Sequence, residues 1–190
     1  MSGQGYRSQS RPADVQDGPG FFDPDDAPEP YEDEQRPAAG RSGTPSGRRL
    51  IVEADGGSRG NPGPAAYGAL VRDAATGEVL SSEGLGIGVA TNNVAEYCGL
   101  IAGLEMARAI DPGAEVDVRM DSKLVVEQMA GRWKIKHPSM IPLAKKANAM
   151  RPSSVRWTWV PRAENKAADA LVNLALDGEP VVREVPSVEG

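Results

Sequence analysis

Along the middle of the chain the spacing of apolar side chains switches several times between a repeat of two and a repeat near 3.6, the mark of strands alternating with helices. "RLIVEAD", "AEVDVRMD" and "SVRWTWVP" predict strands, and "AAYGALVRDAATGEVLSSEGLGIG" predicts two more joined by a turn at Thr76 and Gly77. Helical spacing runs through "TNNVAEYCGLIAGLEMARAI", which Thr91 or Asn92 is placed to cap, and through "KLVVEQMAG", which Ser122 is placed to cap. A further helix is expected over residues 138–150 and a last one over "AENKAADALVNLALD". The order is β-β-β-α-β-α-α-β-α. An antiparallel opening followed by strand and helix alternation predicts an α/β fold: a five-stranded mixed sheet, strands 1–3 antiparallel, flanked by helices.

The periodic region covers residues 48–177, one domain's length, and the flanks lack it. Residues 1–47 are rich in Gly, Pro, Ser and acids, with "FFDPDDAPEPYEDEQRP" at their centre. They cannot bury enough apolar surface to offset the entropy of ordering, so a disordered acidic tail is expected there. Residues 178–190, "GEPVVREVPSVEG", are expected to form a flexible C-terminal tail.

Charge follows the same division. The 190-residue chain has a formal net charge of −6, yet residues 1–47 hold four arginines against nine acids and residues 177–190 one against four. The domain between them carries 16 basic and 14 acidic side chains, a balance that does not by itself point to nucleic acid. Cys98 is the single cysteine, which excludes an internal disulfide and suits a reducing compartment. With no apolar run of membrane-spanning length and no apolar signal core, a cytoplasmic monomer without membrane association is expected.

Four acids stand where the pattern does not call for them. Asp55 ends the first predicted strand and Asp121 the fourth, the places where ligands sit on open sheets, although Asp is also a common strand terminator. Glu96 shares a helix face with Gly99, Leu100, Gly103 and Ala107, where a carboxylate is partly desolvated, and Asp169 lies in an Ala- and Leu-rich helix one turn after Asn165. If the four converge, carboxylates and water suit Mg²⁺ or Mn²⁺; His137 and Cys98 are too few for zinc. Spacing alone leaves convergence open. Glu53, two residues before Asp55 on the same strand face, is expected to lie away from the cations. Between Glu53 and Gly68, "EADGGSRGNPGPAAYG" sets five glycines and two prolines around Asp55, without the G-K-[ST] ending of a nucleotide P-loop.

Taken in order, "DGGSRGNPGPAAYG", "TNNVAEY", "MDSKLVVEQM" and "VPRAENKAADALVNLA" closely resemble the type 1 ribonuclease H family, over nearly all of residues 48–177. The resemblance implies a ribonuclease H-like fold and an endonuclease that hydrolyses the RNA strand of RNA/DNA hybrids, leaving 5′-phosphate and 3′-hydroxyl ends. It implies that Asp55, Glu96, Asp121 and Asp169 bind two Mg²⁺ ions, with Mn²⁺ a substitute, Asp55 bridging both. Gly56 in the glycine loop is expected to let backbone approach the RNA strand, and Asn61 and Asn93 match positions that contact the hybrid. Ser122 follows the strand-end aspartate as in the family, and Lys123, where glutamine is often found, suits a phosphate.

Two departures stand out. Many bacterial members carry a histidine in a loop before the last aspartate; here "VPRAENKAAD" has none, as in the short-loop archaeal-like subgroup, and Arg162 stands nearest to that role. An arginine can hold a phosphate or stabilise a leaving oxygen but shuttles protons poorly near neutral pH. The extended basic handle of some relatives is also missing. In "GRWKIKHPSM", Arg132, Lys134 and Lys136 alternate with Trp133 and Ile135, which reads either as a short basic arm for the DNA strand or as a solvated helix end. Trp157 and Trp159 are expected in the core. The rival functions are a non-catalytic hybrid-binding module, against which all four acids speak, and a transposase or integrase nuclease, which expects a different acid spacing.

Overall fold

The computed structural model describes residues 45–183; the expectations for residues 1–44 and 184–190 lie outside the described residues. The strands are β1 (Arg49–Ser58), β2 (Gly63–Asp73), β3 (Val79–Ala90), β4 (Glu115–Met120) and β5 (Val155–Trp159). The helices are α1 (Asn92–Ile110), α2 (Lys123–Met129), α3 (Met140–Ala149) and α4 (Lys166–Leu176), with a 3₁₀ turn at Arg162–Glu164 just before α4. One sheet runs β3-β2-β1-β4-β5; β1 to β3 pair antiparallel, and β4 pairs parallel to both β1 and β5. The α/β mixed sheet expected from the apolar pattern is the one observed.

Alternation decides what each face meets. Leu50, Val52 and Ala54 of β1 and Val116, Val118 and Met120 of β4 are buried in one core with Leu100, Leu104 and Met106 of α1. Thr91 caps α1 by accepting a hydrogen bond from the Val94 amide (3.3 Å), and Ser122 caps α2 from the Val125 amide (3.4 Å). On the glycine-rich half of β1 the helices pack against backbone. A Cβ on Gly56 would lie 2.1 Å from the Glu96 nitrogen in α1, whereas one on Gly57 would meet Val172 of α4, so the two helices clasp opposite faces of the same strand. Gly56→Ala therefore drives α1 off β1 and is expected to cost about 2–3 kcal/mol, as overpacking does, read as a lowered urea midpoint.

Three expectations about boundaries change. β1 does not end at Asp55 but continues through Gly56 and Gly57 to Ser58, because β2 goes on pairing with it to Ser58↔Ala65. At the start of the domain Ser46 is already tied down, its hydroxyl donating to Asp111 (2.7 Å) and its amide to the Gly113 carbonyl (3.1 Å). At the other end residues 178–183, expected to be flexible, return to the sheet edge. Val181 exchanges both backbone hydrogen bonds with Gly84 of β3 (2.7 and 2.9 Å), and Arg183 donates to Glu83 (2.6 Å) and Glu105 (2.9 Å). The physical reason is Glu83, 3% exposed and also accepting from the Tyr67 hydroxyl (2.6 Å): a carboxylate that deep in the sheet needs a cation, and the chain after α4 supplies it.

Glu53 accepts from Arg72 (3.2 Å) and stands outside the group formed by Asp55, Glu96 and Asp121. Among the described residues no helix is long and apolar enough to cross a membrane.

Candidate active site

The ladder between β1 and β4 stops at Ala54↔Met120, so the next residues of the two parallel strands, Asp55 and Asp121, emerge side by side. Glu96 reaches the same point from the second turn of α1. Ligand atoms of Asp55, Glu96 and Asp121 all lie within 4.8 Å of one another. Asp169 is placed differently. It lines the same cleft, of about 520 Å³, from the first turn of α4, but stands outside the group of three, with Oδ1 accepting from Arg162 (3.0 Å) and Oδ2 from Asn173 (3.2 Å). Three of the four acids thus converge fully, and the fourth waits at the rim.

The crowding has an electrostatic signature. Burial first, then the carboxylates of Asp121 and Asp169, push the Asp55 carboxyl up from 3.8 to about 7, against the hydrogen bond from the Gly56 amide (2.9 Å) and the charge of Arg162. Burial, followed by Asp55 and Asp121, likewise holds Glu96 well above the ordinary carboxylate range. The Glu96 Oε2 is buried without a hydrogen-bond partner. Desolvated carboxylates that repel one another, with an orphaned oxygen among them, fit a hard divalent cation such as Mg²⁺ or Mn²⁺, which takes oxygen ligands.

Around the acids the cleft is polar. Asn61, Asn93, Ser122, Lys123 and Arg162 line it, and Gly56 does too, although its missing Cβ is already required by the approach of α1. The turn after β1 is held at both ends: Asn61 Oδ1 accepts from the Asn92 amide at the start of α1 (3.1 Å), while Arg59 pairs with Asp177 and donates to the Leu176 carbonyl at the end of α4 (3.2 Å). It is a fixed rim.

Arg132 turns back onto Glu127 (Nη2 to Oε1, 3.0 Å), and the Lys134 carbonyl accepts from Gln128 (3.2 Å), itself held by Tyr97 (2.8 Å). Arg132, Lys134 and Lys136 are not among the cleft-lining residues; His137 and Ser139, a few positions on, are. The His137 Nδ1 accepts from the Ser139 amide (3.3 Å) and lies 2.7 Å from its hydroxyl oxygen. No periodicity flagged His137, because residues 134–139 form neither helix nor strand. Trp157 packs against the core as expected, but Trp159 does not join it: it is 49% exposed at the sheet edge and its indole donates to the Asp121 carbonyl (3.1 Å).

Acids at the point where the parallel β1–β4 ladder stops, a third acid from α1 and a polar cleft above them define an α/β domain of the ribonuclease H type. A family model described as reverse transcriptase-like matches residues 53–175. The "Bifunctional protein Rv2228c" of Mycobacterium tuberculosis is 55% identical over 132 residues, 68% of this chain, and the chain spans 36% of that relative's length. The solved N-terminal RNase H domain of that protein superposes with a TM-score of 0.67 at 53% identity, covering 70% of this chain and 96% of the domain. Ribonuclease HI of Halobacterium salinarum is 44% identical over 134 residues, 69% of this chain and 66% of that enzyme. The structure of LC11-RNase H1, from compost, in complex with an RNA/DNA hybrid matches at 40% identity and a TM-score of 0.65, covering 68% of this chain and 97% of that one. The chain belongs to the ribonuclease H family of enzymes.

Proposed function

We propose that the chain is an endonuclease that cleaves the RNA strand of RNA/DNA hybrids with two Mg²⁺ ions, leaving 5′-phosphate and 3′-hydroxyl ends. The observation that carries this reading is the meeting of Asp55, Glu96 and Asp121 within 4.8 Å, with Asp169 on the same cleft. Asp55, Glu96 and Asp121 would hold one ion, and Asp55 with Asp169 the other. When bound, the ions supply positive charge that acidifies the attacking water and offsets charge on the phosphate and the departing 3′ oxygen.

The chain's own groups do the rest. Arg162 holds Asp169 by one oxygen (3.0 Å) and places a permanent cation beside the position of the phosphate. Lys123 and Ser122 line the cleft at the start of α2, and the lysine ammonium would contact a phosphate there. Asn61 in the clamped turn and Asn93 at the start of α1 line the cleft, placed to contact the hybrid, and selectivity for RNA rests on contacts to consecutive 2′-hydroxyls. His137 adds a further polar group on the α3 side. The basic residues Arg132, Lys134 and Lys136 would act at the outer margin on the DNA strand.

The test is incubation of the purified protein with labelled RNA/DNA hybrid, double-stranded RNA, double-stranded DNA and single-stranded RNA in Mg²⁺, Mn²⁺ or EDTA. Hybrid cleavage is expected in either metal and none in EDTA. Binding of the hybrid without metal-dependent cleavage would identify a non-catalytic binding module instead.

A further inference from the structure

Asn165 occupies the N-cap position of α4, where an asparagine ordinarily accepts a hydrogen bond from an amide of the first turn. Here its side chain makes no cap bond. It is 1% exposed, and its Nδ2 donates instead to the Ala54 carbonyl (2.9 Å) and to Asp121 Oδ1 (2.8 Å). Both partners are acceptors, which settles the amide orientation: the flipped side chain would set oxygen against oxygen. Its own Oδ1 is left buried without a hydrogen-bond partner. A residue that only filled space would be apolar and would strand no carbonyl there.

We infer that Asn165 is a positioning residue for the cation site, holding the Asp121 carboxylate in the orientation that a divalent ion requires. Ala54 is the last β1 residue paired with β4, and Asp121 follows its partner Met120, so one amide ties together the end of the β1–β4 ladder and the start of α4. Those elements carry Asp55, Asp121 and Asp169. The Asp121 backbone is held separately, its carbonyl accepting from Trp159 (3.1 Å), which leaves rotation of the carboxylate as the freedom that Asn165 removes. Groups that orient a metal-binding carboxylate in this way set the affinity for the metal more than the maximal rate. The inference rests on the proposed function, and it predicts a defect in metal affinity.

The experiment compares the wild type with Asn165→Ala, with Asn165→Ser, whose single hydroxyl can serve one acceptor only, and with Ala147→Gly, a destabilising change in α3 remote from the site. Mg²⁺ is titrated twice: against the thermal midpoint without nucleic acid, and against hybrid cleavage. Asn165→Ala is expected to raise the half-saturating Mg²⁺ concentration about 10- to 100-fold in both titrations, with most of the rate recovered at saturation. Asn165→Ser falls between, and Ala147→Gly lowers the thermal midpoint without moving the Mg²⁺ dependence. Asn165 variants that lose stability but keep a half-saturating Mg²⁺ concentration within about twofold of the wild type overturn the inference; if the alanine variant fails to fold, the serine variant decides on the same criterion. A wild type that binds Mg²⁺ but does not cleave the hybrid overturns the proposed function alone, and the thermal titration still decides the role of Asn165. A wild type with no Mg²⁺-induced shift overturns both.

Discussion

Asp55→Asn is expected to abolish hybrid cleavage while making the metal-free protein more stable. Loss of activity by about 10³-fold or more corresponds to roughly 4 kcal/mol of transition-state stabilisation, a reasonable share for a carboxylate shared by the cation site. The gain in stability follows from the same crowding. Because burial and the neighbouring carboxylates raise the Asp55 carboxyl from 3.8 to about 7, the folded protein keeps that proton over a range in which the unfolded chain has released it. The stability of the metal-free wild type therefore falls as pH rises from about 4 through about 7, and levels off above. Asparagine carries no such charge, so the variant should match the wild type near pH 4 and exceed it by roughly 2–4 kcal/mol at pH 8. Urea denaturation in EDTA at the two pH values checks this, and Mg²⁺ should narrow the gap by stabilising the wild type more. A variant as active as the wild type in Mg²⁺ would remove Asp55 from the cation site; one that gains nothing at pH 8 would mean that the acids are well solvated.

The second large effect is expected far from the chemistry. Arg183→Ala should cost about 3 kcal/mol, because it strands Glu83, whose side chain is 4% exposed, with the Tyr67 hydroxyl as its remaining hydrogen bond among those described. Breaking one member of a buried pair costs more than the pair contributes, since the surviving charge stays in low dielectric. Glu83→Gln in the Arg183→Ala background should recover part of the loss, because a neutral amide can still bond to Tyr67. Denaturation midpoints for the two variants and the wild type test this directly. An Arg183→Ala protein indistinguishable from the wild type would show that the segment after α4 rests on the edge of β3 without stabilising it.

Among the described residues periodicity located the five strands and the four α-helices, since each has one face turned to a shared core and the apolar repeat records that directly. The two helix caps that depend on a single side chain, Thr91 and Ser122, were legible for the same local reason. Of the site, Asp55, Glu96, Asp121 and Asp169 could be singled out because acids interrupt an otherwise apolar or strand-like pattern. Asn165 was visible only as a neighbour of Asp169: an asparagine before a helix looks like a cap, and nothing local says that its amide turns to another strand. Trp159 looked like core because it alternates in step with Trp157, yet β5 is the sheet's edge and stops at that residue.

By itself, then, the sequence determined the order and kind of the elements among the described residues and marked the acids that interrupt their pattern, because those depend on side-chain spacing along one chain. Only the tertiary structure decided that three acids meet while Asp169 is held at the rim by Arg162, that Arg132 is taken by Glu127, that His137 enters the cleft, and that Arg183 returns to Glu83. Each of these outcomes joins residues from different elements. Whether a charge is desolvated, paired or free depends on what packs beside it, and that is settled by the sheet order and the close approach of α1 and α4, which no local repeat encodes.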